Sequence, residues 1–469
     1  MRILFTLYPS HAHLWPVVPL AWAFQSAGHE VRVATHGGFV DSVAAAGLTP
    51  VLLGERTDGD ARMRPDARPP APVAEVLRYA EVMGLEGAAR EHWIAFYQML
   101  LNPASDYVRT DLPAVDQLVD FARSWRPDLV LWDPTFASGS VAARVSGAAH
   151  ARLVPGMDYF GFSLDRLAEH RDAVVAAGLA ENPLADVVRP LAEKYGLTVD
   201  DDLLLGQWTV DPLPAGLSLP TSRHHVPFRW VPFTGIEPVP DWLREPPRRP
   251  RVALSLGEST RRFISGDWGR SPKIFEAVAD LDIEVVATLN ALQLHEIDRV
   301  PDNVRVQEWV PLTQLLPTCA TLIHHGGMGT FSAASAFGVP QIVCDSEESV
   351  LMRQVEVEVE TGRDDGTYRV GWEFGKRENV VEKVTTWELP AKKLEATPCA
   401  DYVIARGAGT RLNHLTSSVA EIAKQIQAVV TEPAYADGAA ALREQWLATP
   451  APADIVPVLT ALADGHRAR

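Results

Sequence analysis

One short stretch constrains this chain more than any other: Thr321-Leu322-Ile323-His324-His325-Gly326-Gly327-Met328-Gly329-Thr330-Phe331. A short apolar run ends in two histidines and three glycines, then continues as Ser332-Ala333-Ala334-Ser335-Ala336, rich in helix-forming alanine. That order reads as strand, tight turn, helix N-terminus. Such a start carries unpaired N–H groups and the positive end of the helix dipole, so it attracts phosphate. The glycines let the backbone approach a diphosphate closely, while Thr330 and His325 add hydrogen bonds. The competing reading is a glycine-rich turn beside a buried histidine.

The rest of the chain must supply a partner for that unit. At 469 residues it is too long for one compact core, so two domains are expected. A net charge of −17 argues against nucleic acid and leaves no obvious basic face for anionic membranes. Cys319, Cys344 and Cys399 lack metal-ligand spacing and suit a reducing compartment. The opening apolar run is too short for a signal peptide, and no run of about 18 apolar residues offers a membrane span. A cytoplasmic protein is expected.

Arg2 to Leu7 reads as a buried parallel strand, followed by a loop to Trp15, a helix from about Pro16 and a second strand from Glu30. This βαβ rhythm implies a parallel sheet with ligands at the carboxyl ends of its strands. His13 falls in the first such loop, where an imidazole can take a proton from a hydroxyl; a structural or capping histidine is the alternative. Pro127 to Pro134 is another apolar strand ending on Asp133, which can either orient an imidazole or cap the next turn. From Val73 to about Tyr107 the pattern is helical, with Trp93, Phe96 and Tyr97 among its large apolar groups. From Pro212 prolines become dense, which forbids long helices and marks an interdomain connection. The expected division is 1–235, a linker at 236–250, a second domain at 251–440 and a helical tail at 441–469. In the second domain, Arg251 to Gly257 forms a strand running into Glu258-Ser259-Thr260, where Ser259 either reaches a phosphate or belongs to a plain turn.

These residues carry a resemblance. His-His-Gly-Gly-x-Gly-Thr at 324–330, followed by Gly338-Val339-Pro340-Gln341, resembles the donor-binding motif of GT-B glycosyltransferases. The nearest likeness is to bacterial enzymes that attach deoxysugars to polyketides. Ser10-His11-Ala12-His13-Leu14 with Val18 to Ala23 and Ala27 to Ala34 resembles their N-terminal motif. The resemblance implies an α/β fold of two Rossmann-like parallel-sheet domains facing across a cleft, with a tail that crosses back to the first domain. It implies His13 as general base, with His11 as its competitor and Asp133 as its partner. Ser259, His325, Gly327, Gly329 and Thr330 would hold the donor diphosphate. Trp309 and Val310, in Glu308-Trp309-Val310-Pro311-Leu312, would hold the nucleobase, unless Trp309 is simply buried structure. The implied donor is a dTDP-deoxyhexose, handled without a metal or other cofactor, and the implied acceptor is a hydrophobic aglycone. A P450-like helper protein, docked near the 73–107 helices, is a partner implied by the same resemblance.

The resemblance breaks after Val343. There the family places an acid that hydrogen-bonds the donor sugar, whereas this chain reads Cys344-Asp345-Ser346-Glu347-Glu348-Ser349. Asp345, Glu347 and Glu348 are the candidates for that role, or else a solvated loop. Residues 358–403 read as an insertion, its alternation at 367–374 and 379–389 suggesting a β-hairpin. Such an insertion offers a lid, an oligomer contact (a homodimer among them) or a surface excursion. The function expected is an inverting glycosyltransferase. The alternatives are a GT-B nucleotide-sugar epimerase or hydrolase, and a non-catalytic nucleotide-sugar-binding partner.

Overall fold

The computed structural model describes residues 1–55, 69–257, 270–294, 297–359, 367–370, 373–376, 382–388 and 390–467. Its first half is one parallel sheet built from β1 (Arg2–Thr6), β2 (Glu30–His36), β3 (Pro50–Leu53), β4 (Leu129–Trp132), β5 (Ala149–Leu153), β6 (Trp208–Asp211) and β7 (His225–Pro227), in the order β3-β2-β1-β4-β5-β6-β7. Helices cover both faces, so a strand such as Leu129-Val130-Leu131-Trp132 is apolar at every position and buried throughout. Leu4, Val130 and Trp132 face one apolar cluster, while Ile3, Phe5, Leu129 and Leu131 face the other.

The second half repeats the plan with β8 (Arg251–Ser255), β9 (Glu284–Thr288), β10 (Val304–Gln307), β11 (Thr321–His324), β12 (Gln341–Cys344) and, late in the chain, β17 (Gly409–Leu412). The order is β10-β9-β8-β11-β12-β17, and every pairing is parallel. In both sheets the strand order reverses beside the first strand, between β1 and β4 and between β8 and β11. Ligand crevices open at such switch points, beyond the carboxyl ends of the strands. The two halves are therefore Rossmann-like domains, as expected.

The segment expected as an insertion is a separate ribbon. β13 (Arg353–Val359) pairs antiparallel with β16 (Glu382–Glu388), and β14 (Thr367–Val370) with β15 (Glu373–Lys376). The ribbon thus begins at Arg353, before the expected 358. Residues 396–403 belong instead to the helix Ala396–Ala405, which buries Cys399, Ala400 and Val403 in the core. Pro398 falls in the first turn of that helix, where proline is tolerated.

Two connections join the halves again. Ahead of the ribbon, Val350 N–H donates to Glu91 at 2.8 Å. The Gln98 amide meets Met352 twice, accepting from its N–H at 2.7 Å and donating to its carbonyl at 3.0 Å. At the C-terminus, the helix Pro433–Ala448 lies on the second domain, where Arg443 Nε donates to Ala336 O at 3.1 Å. The chain crosses at Thr449–Ala451, where Arg229 N–H donates to Pro450 O at 2.8 Å. The helix Pro452–Arg467 then buries Ile455, Val456, Leu459 and Ala463 in the first domain's core. The expected boundary at 441 therefore falls inside the helix Pro433–Ala448, and the crossing follows that helix's end. The stretch 433–466 has the mean hydropathy of a membrane span, but here it is these two helices.

Candidate active site

β1 ends at Thr6, and the chain turns through Ser10 into a single helical turn, His11–Leu14. His13 sits on that turn rather than in an open loop. β4 ends beside β1, and Asp133, the next residue, donates its N–H to Thr6 O at 2.9 Å. Its Oδ1 accepts from Thr135 N–H at 2.8 Å and Thr135 Oγ1–H at 2.7 Å, which fixes the carboxylate. Its Oδ2 is hydrogen-bonded to His13 Nδ1, and the Tyr8 ring packs 5.0 Å from the imidazole. An ionised carboxylate only accepts, so Nδ1 carries the proton and Nε2 keeps its lone pair. His11 goes elsewhere: it stacks on Trp15 at 5.2 Å and is hydrogen-bonded to Ser42 Oγ at 3.3 Å. Of the two histidines, His13 is the one bonded to Asp133 and lining the cleft with it.

Across the cleft, β11 delivers His325 and the glycine turn. Gly326 adopts φ +81°, and a Cβ there would lie 2.5 Å from Ala396 Cα, so no other residue fits. The His325 ring lies between two glycines; a Cβ on Gly257 or on Gly327 would come within 2.4 Å of it. Burial holds its pKa well below the ordinary value, and the charge of Lys393 pushes the same way. His325 is therefore neutral and contributes shape and hydrogen bonding rather than charge. The helix Met328–Phe337 follows, and Gly327, Met328, Gly329 and Thr330 line the cleft with its first-turn amides. His13, Asp133 and this helix start border one cleft of about 300 Å³. Met99, Leu100, Met157 and Phe160 give that cleft an apolar wall on the first domain.

The remaining expected residues are placed differently. Ser259 lies outside the described residues. Trp309 packs against Trp15 at 5.5 Å and lines a smaller neighbouring cavity with His11 and Phe233. Val310 is 3% exposed and its side chain belongs to the core beside Ala253 and Leu322, so only its backbone is left for a base.

The donor-sugar acids need correction. Asp345 is fully buried, paired with Arg411 at 3.1 Å and accepting from Thr397 Oγ1 at 3.1 Å. Its carboxylate ties the returning chain to the sheet edge and does not reach the cleft. Glu347 pairs with Arg411 at 3.0 Å, and Glu348 is exposed, accepting from Ser346 at 3.3 Å. Among the described residues of the second domain, the acid that lines the cleft is Glu395, at the far end of the ribbon. Its carboxyl faces Gly156 of the first domain, where an added Cβ would stand 3.2 Å away. Burial raises its pKa, opposed by Lys393 and His13. Its signal in the sequence lies beyond the ribbon, ahead of the resumed Arg406-Gly407-Ala408-Gly409.

Residues 22–257 match the erythromycin biosynthesis protein CIII-like N-terminal domain, and residues 272–363 match the C-terminal domain of the same name. The chain is 36% identical over 479 residues to 10-deoxymethynolide desosaminyltransferase of Streptomyces venezuelae, covering all of this chain and 98% of that one. It is 33% identical to 3-alpha-mycarosylerythronolide B desosaminyl transferase of Saccharopolyspora erythraea, covering 100% and 99%. Among solved structures, spinosyn forosaminyltransferase SpnP superposes with a TM-score of 0.72 at 30% identity, covering 99% of each chain. Glycosyltransferase VinC in complex with dTDP gives 0.73 at 29%, covering 99% and 100%. With the fold, the cleft and these likenesses in agreement, the chain belongs to the erythromycin biosynthesis protein CIII-like family of GT-B glycosyltransferases.

Proposed function

We propose that this enzyme transfers a deoxysugar from a dTDP donor to a hydroxyl of a polyketide-type aglycone, inverting the anomeric carbon. The observation that carries the reading is the meeting, in one cleft, of the His13–Asp133 pair and the glycine-rich helix start. His13 Nε2 takes the acceptor O–H proton as that oxygen bonds to C1 of the sugar. The C1–O bond to the diphosphate breaks, and its electron pair leaves with the diphosphate oxygen. Asp133 stabilises the imidazolium, and the amides beyond Gly327 meet the charge on the leaving group. His325 and Thr330 hold the diphosphate, Trp309 and the Val310 backbone lie toward the base, and Glu395 contacts the sugar. The dTDP donor is supported by the dTDP complex of VinC, and the polyketide-type acceptor by the substrates named for the relatives. The reaction uses no metal or other cofactor, takes place in the cytoplasm, and admits a P450-like helper docked on the first domain.

Calorimetry with dTDP, UDP and their sugars, with and without magnesium, tests this. The expected result is a preference for dTDP that magnesium does not change. Tight binding of none of them would sink the reading, and turnover of donor without acceptor would favour the hydrolase or epimerase alternative.

A further inference from the structure

The segment that returns from the added ribbon crosses the donor side of the cleft: Pro390, Lys392, Lys393, Leu394 and Glu395 all line it. Its position is fixed by contact. The Gly326 turn packs directly on Ala396, whose Cα leaves no room for even a methyl group. The residues just before Ala396 are therefore seated beside the start of the diphosphate-facing helix. Among the described residues lining the cleft, Lys392 and Lys393 are the only lysines or arginines.

The two lysines are used differently. Lys392 is 6% exposed, with Nζ 2.8 Å from Thr397 Oγ1 and 3.6 Å from Asp345 Oδ1, and it holds the segment in place. Lys393 is half-buried in the cleft wall. Its charge is the leading one acting on both His325 and Glu395, which line the same cleft. A diphosphate brings at least two negative charges, and a third develops at the leaving oxygen as the C1–O bond breaks. The neutral His325 offers no formal charge against them, and a helix N-terminus supplies only about half a unit.

We propose that Lys393, carried into the cleft by the ribbon's return, binds the donor diphosphate and stabilises the charge that develops on it during transfer. The proposal rests on the transferase reading above. The proton still goes from the acceptor to His13 and the electron pair still leaves with the diphosphate; Lys393 keeps its proton throughout. The ribbon is then more than a surface addition, because its closing segment places the cation.

The test titrates wild type, Lys393→Gln and Lys393→Arg with dTDP, and with thymidine by displacement, in low and moderate salt. Loss of a charge-assisted contact should weaken dTDP about 10- to 100-fold in Lys393→Gln. Thymidine affinity should hold, Lys393→Arg should stay within a few-fold of wild type, and the salt dependence of dTDP binding should flatten. In turnover, kcat should fall more than KM rises, since the charge is greatest in the transition state. Wild-type affinity for dTDP in Lys393→Gln, or equal loss of dTDP and thymidine, would overturn the role of Lys393 alone. A wild-type protein that binds no dTDP would instead overturn the donor reading.

Discussion

Asp133→Asn exchanges one oxygen for an NH2 group, yet the geometry around it predicts a near-complete loss of transfer. Asp133 Oδ1 accepts from both Thr135 N–H and Thr135 Oγ1–H, at 2.8 and 2.7 Å. An amide must keep its oxygen on that side, because its NH2 would meet two donors. The NH2 then points at His13 Nδ1, the contact now made by Oδ2. Nδ1 has to accept, so the imidazole proton moves to Nε2, the edge that should receive the acceptor's proton. The base is present in the wrong tautomer. General-base catalysis contributes about 10²- to 10⁴-fold, or about 3–5 kcal/mol of barrier, and loss of the imidazolium's counter-charge adds to it. The assay is kcat/KM at saturating donor, with dTDP affinity measured alongside. Donor affinity should be unchanged, and the Asp133→Asn, His13→Ala double variant should be little worse than His13→Ala alone, as for groups that act as one unit. Retention of more than about a tenth of wild-type activity would refute the tautomer argument. Asp133 would then serve only to hold the Thr135 turn.

Three further outcomes follow from features described above. Gly326→Ala, at φ +81° and with its Cβ 2.5 Å from Ala396 Cα, should lower the melting temperature and weaken dTDP binding together; an unchanged melt and unchanged affinity would contradict the close packing. Gln98→Ala should cost about 2–3 kcal/mol in thermal or urea unfolding, because the Met352 N–H and C=O, buried at 3% exposure, both lose their side-chain partner. The acceptor KM should rise with it, since Met99 and Leu100 beside Gln98 line the cleft. An unaltered midpoint would deny that contact its weight. Acid should destabilise the fold through His150 and His324, whose pKa values burial lowers to about 3. Because the folded values lie below the unfolded one, the stabilisation is complete above pH 6.5 and is lost as pH falls toward 3, by up to about 2 kcal/mol each at pH 5. Charging His324 also puts a proton on the Nδ1 that accepts from Gly326 N–H at 3.2 Å, so the diphosphate turn should fail early. Equal urea midpoints at pH 7 and 5 would count against this.

Much of the architecture was readable because strands covered on both faces must be apolar at nearly every position. Leu129–Trp132 and Thr321–His324 announce themselves, and with them the turns that carry Asp133 and His325. The cleft acid Glu395 was not readable from local register. The ribbon separates β12 from the segment that returns to the cleft, so local register offers only Asp345, Glu347 and Glu348, and the short spacing of Asp345 from the strand commits it to Arg411 and Thr397. Val310 shows a different limit: one apolar residue after a tryptophan looks the same whether its backbone holds a ligand or its side chain fills the core. The ribbon's start was misplaced for a related reason. Arg353 to Val359 alternates as a strand should, but its partner Glu382–Glu388 lies beyond a second hairpin, so the pairing is visible only in space.

The crossing tail has a consequence for building hybrids. Recombining the halves of two such enzymes at the proline-rich linker looks like a single-junction operation. Here Ile455, Val456, Leu459 and Ala463, from the very end of the chain, belong to the core of the first domain. A hybrid joined only near residue 245 would pack a foreign helix against Val17, Leu20 and Phe24. A graft that keeps each core intact takes a second junction at Thr449–Ala451, so that the acceptor-side unit is inherited as two pieces of sequence that are one piece in space.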